Sequence, residues 1–257
     1  MLPPDRTVSP GGVTSKHDVS MPGRLILWDI DGTLVSCGPA GRLALETGAA
    51  RAAGLASVPA VVMSGKTDPQ IITEILTAAG VAEAERGQLL PLALVEAERA
   101  LAASRDRLAN EGVVHPGVRE LLAALEADAG VHQTLVTGNL STNAALKVGL
   151  FGLDVFLDLP VGAYGSDHAD RDCLVPIALG RVRRERGADF APEQVWVVGD
   201  TGNDLRCARA AGVRCLLVGT GSGGGGDVAS LGADAFLEHL GDTDQALDLL
   251  LGSPPGG

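Results

Sequence analysis

Two stretches carry carboxylates at spacings that can do chemistry. The first is Asp29-Ile30-Asp31-Gly32-Thr33, directly behind the apolar run 25–28. Side chains alternate along an extended segment, so Asp29 and Asp31 share a face while Ile30 turns back into protein. Gly32 permits a tight turn that a side chain would obstruct. Held at the end of a buried strand, one carboxylate can attack as a nucleophile and its neighbour can move protons, provided a cation relieves their repulsion. The second stretch is Gly199-Asp200-Thr201-Gly202-Asn203-Asp204, behind the apolar run 195–198. Two carboxylates with room for water between them are an oxygen set that Mg²⁺ prefers. A helix cap with an acidic first turn accounts for Asp204 alone. It does not account for two acidic strand ends in one chain.

These residues need a scaffold, and the chain supplies strands and helices in alternation. Apolar runs at 25–28, 133–136, 195–198, 215–218 and 233–237 read as strands. Helical spacing follows at 118–127, where Leu121, Leu122 and Leu125 form the buried face, and again at 244–251. The alternation predicts an α/β fold, a doubly wound parallel sheet. Between the first strand and the segment His115-Pro116-Gly117 the composition is mostly helical. Helices are expected over 41–55, from Pro69 onward with Ile71, Ile72, Ile75 and Leu76, and over 89–108 with Leu92, Leu94, Val95 and Leu101 as apolar candidates.

Smaller groups complete the candidate site. Thr137-Gly138-Asn139 ends the strand at 133–136, and a hydroxyl with exposed backbone N–H groups at such a junction suits a phosphate oxyanion. A plain turn with a helix cap fits the same three residues. Gly65-Lys66-Thr67-Asp68 is a glycine-containing loop before a helix, with an exposed capped turn as the alternative. Arg171 precedes a helix containing Leu174, Ile177, Ala178 and Val182, while Arg181, Arg183 and Arg184 lie inside it and read as a solvated face.

The bulk properties narrow the classes. The chain has 257 residues, 46% of them hydrophobic, enough for a true core. A net charge of −12 excludes a basic nucleic-acid groove. Cys37, Cys173, Cys207 and Cys215 have no zinc spacing and read as reduced thiols, and the five histidines form no ligand motif. No apolar run reaches membrane-spanning length and no signal-peptide core is present, so a cytoplasmic protein is expected. Residues 1–23 read as a disordered leader, with Met21 a candidate true start, and 252–257 as a disordered tail. The glycine run after Gly221 lacks a phosphate-loop pattern and reads as a mobile connection.

Asp29-Ile30-Asp31-Gly32-Thr33, Thr137, Arg171 and Gly199-Asp200-Thr201-Gly202-Asn203-Asp204 stand in the order of the four motifs of the haloacid dehalogenase superfamily, which this chain resembles over nearly everything after residue 23. The helical segment resembles the cap of its phosphoglycolate phosphatase-like members. Relatives mostly carry Lys-Pro at the third motif, where this chain has Asp170-Arg171-Asp172. The resemblance implies a core of 24–36 and 113–251 with an inserted, mostly helical cap of 37–112. It further implies a Mg²⁺-dependent phosphatase acting on a small phosphate ester through an aspartyl-phosphate. Asp29 would be the nucleophile and Asp31 the acid and base. Asp29, the Asp31 carbonyl, Asp200 and Asp204 would hold the metal. Thr137, Gly138, Asn139 and Arg171 would bind the transferred group, and Lys66 the substrate beneath the cap. Two other outcomes remain open, a phosphosugar mutase and a catalytically silent phospholigand sensor. Dehalogenation is disfavoured, since it has no leaving alcohol for Asp31 to protonate. A monomer and a homodimer fit equally well.

Overall fold

The computed structural model describes residues 23–221 and 228–252. The expectations for the leader, for Met21, for the glycine run and for most of the tail fall outside these residues.

The chain begins with β1 (Arg24–Trp28) and β2 (Val35–Ser36). Four helices follow: α1 (Ala40–Ala53), α2 (Asp68–Ala78), α3 (Glu83–Ala103) and α4 (Arg105–Glu111). The chain returns through β3 (Val113–Val114), α5 (Val118–Glu126), β4 (Val131–Thr137), α6 (Ser141–Leu150) and β5 (Ala163–Tyr164). Then come α7 (Leu174–Arg186), β6 (Val195–Gly199), α8 (Gly202–Ala211), β7 (Arg214–Val218), β8 (Ala235–Leu237) and α9 (Thr243–Leu251).

Six strands form one parallel sheet in the order β5-β4-β1-β6-β7-β8. The chain leaves β1 toward β4 and β6 toward β7, so connections diverge between β1 and β6. Open α/β sheets bind ligands beyond the carboxyl ends of strands at such a divergence. Asp29 follows β1 and Asp200 follows β6, and the Asp29 amide donates to the Val198 carbonyl at 2.9 Å. The fold itself therefore brings the two acidic motifs together.

Alternation along the strands divides the core between the faces of the sheet. Ile26, Trp28, Trp196, Val198, Leu216 and Val218 pack on one face. Leu25, Leu27, Val195, Val197, Cys215 and Leu217 pack on the other. Buried indoles need partners for their N–H groups. Trp28 finds the Gln133 side chain at 3.2 Å and Trp196 the Leu250 carbonyl at 3.1 Å.

The helical insert has a third cluster of its own, built from Leu45, Ala49, Ile71, Ile72, Ile75, Leu76, Ala93 and Ala97. Its seam corrects the expectation for the third helix. Leu92 and Val95 face outward, 58% and 44% exposed, while Ala93, Ala97 and Leu101 are buried. The cause is a close crossing of α1 and α3: a Cβ on Gly48 would stand 2.4 Å from the Ala93 carbonyl oxygen. Only small side chains fit such a seam, whatever their neighbours' hydropathy. Helix α2 starts as expected, with Pro69 in its first turn and Thr67 capping the Gln70 amide at 3.3 Å.

The insert joins the sheet through two segments that pair with each other. β2 and β3 form a small antiparallel ribbon, Val35 opposite Val114 and Ser36 opposite Val113. Arg181 is a second correction. Expected on a solvated face, it turns inward and binds Asp167 in bidentate fashion, both contacts at 2.6 Å. Arg183 and Arg184 do face solvent. Cys37, Cys207 and Cys215 are buried free thiols, and Cys173 is half-buried. Among the described residues no helix is long and apolar enough to cross a membrane.

Candidate active site

Asp29, Asp31, Thr137, Gly138, Asn139, Arg171, Asp200 and Lys66 all line one cleft of about 560 Å³ between the sheet and the insert. Asp29 is buried. The Thr137 hydroxyl at the end of β4 hydrogen-bonds its carboxylate. Arg171, at the start of a 3-10 turn before α7, places its guanidinium 3.2 Å away.

The acidic groups crowd together. Asp29, Asp200 and Asp204 each offer an oxygen within 4.8 Å of the others. Burial raises Asp29 to about 6, with Arg171 opposing and Asp204 and Asp31 adding to the shift. Burial together with the Asp204 and Asp29 charges pushes Asp200 up to about 8. Three carboxylates converging on one arginine leave an excess of negative charge that a hard divalent cation would neutralise, and an all-oxygen donor set fits such a cation. The backbone allows this crowding only through glycine. A Cβ on Gly32, whose φ is +85°, would stand 2.4 Å from Asp200 Oδ2.

Asp204 differs from the other two. Its Oδ2 accepts from the Thr201 amide at 3.0 Å and the Thr201 hydroxyl at 2.6 Å, and its Oδ1 is held by Arg171. With both oxygens engaged it caps α8 and orients Arg171 as much as it faces the cluster.

Asp31 lies on the open side, its side chain 44% exposed. Its Oδ2 accepts from Lys147 Nζ at 2.5 Å and from Asn139 Nδ2 at 2.8 Å. The cleft walls alone would raise its pKa, but the Lys147 ammonium outweighs them and holds the carboxyl below its usual range. Lys147 also donates to Asn139 Oδ1 at 2.7 Å.

Lys147 is the residue that sequence reasoning missed. It sits on α6 inside an apolar stretch and is buried. A signal was present. Asn139, Asn143 and Lys147 recur at every fourth position, the first in the candidate phosphate turn and the other two on one face of α6. Lysine is almost never fully buried unless paired.

The insert is closed over this site. The Asp68 amide donates to the Gly138 carbonyl at 2.8 Å, and the Leu140 amide donates to Asp68 Oδ2 at 2.9 Å. Arg171 Nη1 reaches the Gly65 carbonyl at 3.2 Å, and Asn203 reaches the Ser64 carbonyl at 3.2 Å. A Cβ on Gly138 would stand 2.2 Å from the Lys66 carbonyl oxygen, so glycine there lets the loop descend. The Lys66 side chain lines the cleft with its ammonium 2.5 Å from Glu74 of the insert.

Residues 26–209 match the haloacid dehalogenase-like hydrolase family, and the chain belongs to that family. It is an enzyme of the phosphatase type within it, similar to the phosphoglycolate phosphatase subgroup. The chain is 32% identical over 242 residues to a plasmid phosphoglycolate phosphatase of Cupriavidus necator, covering 91% of this chain and 95% of that one. It is 31% identical to the phosphoglycolate phosphatase of Pseudomonas putida, over 75% of this chain and 68% of the other. Among solved structures, a predicted phosphoglycolate phosphatase from Haemophilus somnus 129pt superposes with a TM-score of 0.61 at 20% identity, covering 87% and 97% of the two chains. CbbY from Rhodobacter sphaeroides in complex with phosphate superposes with a TM-score of 0.60 at 21% identity, covering 85% and 95%. At these identities the structures speak for the fold.

Proposed function

We propose that this chain hydrolyses a small phosphate monoester in a Mg²⁺-dependent reaction, with phosphoglycolate first among the candidates because the relatives carry that name. The observation that carries the reading is the buried Asp29 carboxylate beside Arg171, Asp200 and Asp204 at the base of the cleft. In the first step an Asp29 oxygen attacks phosphorus, the bond to the alcohol oxygen breaks, and Asp31 gives that oxygen its proton. In the second step Asp31 takes a proton from water, which attacks the aspartyl-phosphate and returns Asp29 with inorganic phosphate.

Asp29, Asp200 and the Asp31 carbonyl would hold Mg²⁺, with Asp204 beside them, and the ion would supply the positive charge that lets an anionic ester approach three carboxylates. Thr137, the Gly138 and Asn139 amides and Arg171 support the transferred group, whose charge spreads over its oxygens. Arg171 Nε is buried and has no hydrogen-bond partner among the described residues. The insert over 37–112 acts as the cap, excluding water from the first step and selecting the alcohol, with Lys66 near the cleft opening.

The test is phosphate release from a panel of small esters, with Mg²⁺ and with chelator, beside Asp29→Asn. Release that requires both Mg²⁺ and Asp29 is expected, with Asp29→Asn folded and inactive. Release that survives the chelator and the substitution would overturn the reading.

A further inference from the structure

We propose that Asp68 of the insert is a positioning residue for phosphate: it caps the start of α6 from the insert side and so fixes the Gly138–Asn139 turn. The grip on phosphate is thereby tied to the docking of the insert. The proposal rests on the reading of Thr137, Gly138 and Asn139 as the phosphate-binding turn. The need for such a residue lies in α6, which follows that turn directly. Its N-cap position is Leu140, a side chain with no acceptor to offer. The first amides of a helix need acceptors from outside it. In a capping box the third helical residue reaches back to the N-cap amide. Here that third residue, Asn143, hydrogen-bonds Asp68 instead, and Asp68 Oδ2 accepts from the Leu140 amide at 2.9 Å. The Ser141 amide finds the Ser166 hydroxyl at 3.1 Å. A second bond from the insert runs the opposite way, from the Asp68 amide to the Gly138 carbonyl at 2.8 Å. One residue of the insert thus holds the turn on both sides of Asn139.

A role within the insert alone does not account for this carboxylate. An acidic residue in the first turn of a helix ordinarily complements that helix's own amides. α2 already has its cap, since the Thr67 hydroxyl accepts from the Gln70 amide. Asp68 turns to α6 instead. It is buried, and a carboxylate is seldom withdrawn from water without partners. The partners it has found belong to the core. Lifting the insert would remove both contacts with the turn at once, so phosphate binding and insert docking favour each other.

The probe is inorganic phosphate, measured as a competitive inhibitor in the presence of Mg²⁺, beside KM and kcat for the best ester. Asp68→Ala is expected to raise the inhibition constant and KM together, about tenfold, with kcat changed less than about threefold. Asp68→Asn keeps an acceptor without the charge, and the charge itself works against an incoming phosphate. This variant should therefore bind phosphate at least as well as wild type. A merely structural role would lower the active fraction, and with it kcat, and leave the phosphate constant where it was. That result, or Asp68→Asn as weak as Asp68→Ala, would overturn the proposal. Thr137→Val, which removes a hydroxyl from the same turn, separates two kinds of failure. If it weakens phosphate and Asp68→Ala does not, the inference alone fails. If neither weakens phosphate, the reading of the turn fails, and the inference with it. Should Asp68→Ala not fold, Asp68→Leu, which fills the same buried space without an acceptor, carries the comparison.

Discussion

Arg171 and Lys147 are both buried cations at the base of the same cleft, and each is assigned to one of two carboxylates two residues apart. Arg171 serves Asp29. Its planar fork is tied simultaneously to Asp29, to Asp204 and to the Gly65 carbonyl, so it cannot rotate without breaking several contacts. Lys147 serves Asp31 with a point charge on a flexible stem, whose rotatable donors suit a partner that changes protonation. On the roles proposed above, Asp29 as nucleophile needs fixed position and steady neutralisation, whereas Asp31 as proton carrier must keep its contacts through two charge states. The difference between the cations matches that difference in task.

The largest effect expected from breaking this arrangement is on stability. Arg171→Met leaves Asp204 and Asp29 buried without their counter-charge, a loss of about 3–5 kcal/mol by urea denaturation. Lys147→Met should cost less, because Asp31 is half open to the cleft and water can solvate it. A larger loss for Lys147 than for Arg171 would invert the comparison.

Asp68 tests whether Lys147 serves Asp31 alone. Burial raises Asp68 to about 6, with Lys147 and the Leu140 amide opposing. A carboxyl raised above its ordinary value in the folded state contributes stability that is present below about pH 4 and lost as pH rises through about 6. Asp68→Asn should therefore stabilise the protein relative to wild type at pH 7.5, by about 1–3 kcal/mol, and leave it unchanged near pH 4. Urea midpoints at the two pH values check this. An unchanged difference would mean that Lys147 neutralises Asp68 as fully as Asp31.

Lys66 offers the smallest effect. Its ammonium pairs with Glu74, and both side chains are partly exposed. Lys66→Ala should change stability by less than about 0.5 kcal/mol while raising KM, with kcat nearly intact. A collapse of kcat would place Lys66 among the fixed cations.

What could be read without coordinates follows from this contrast. Asp29, Asp31 and Asp200 were legible because each ends or closely follows an apolar run, a local pattern that sheet formation turns into a common edge. The Gly65-Lys66-Thr67-Asp68 loop was legible as a capped helix start. Lys147 was missed: its four-residue spacing from Asn143 and Asn139 hinted at a polar face, but the carboxylate it meets lies on another segment. The Gly48–Ala93 seam was hidden for a related reason: hydropathy ranks leucine above alanine, while a close helix crossing selects by size. Arg181 looked solvated because its partner Asp167 lies on a different segment.

The paired ribbon of β2 and β3 has a topological corollary. Because the chain enters the helical insert at Ser36 and leaves it at Val113, directly opposite each other in one ladder, everything between forms a cassette whose ends already meet. The insert is not wholly separate from what lies beneath it, since its Gly65 carbonyl holds Arg171 and its Ala40, Ala44, Leu101 and Leu108 pack into the core of the sheet. An insertion at this point lengthens a hairpin and leaves the order of the six-stranded sheet that carries Asp29, Thr137 and Asp200 uninterrupted.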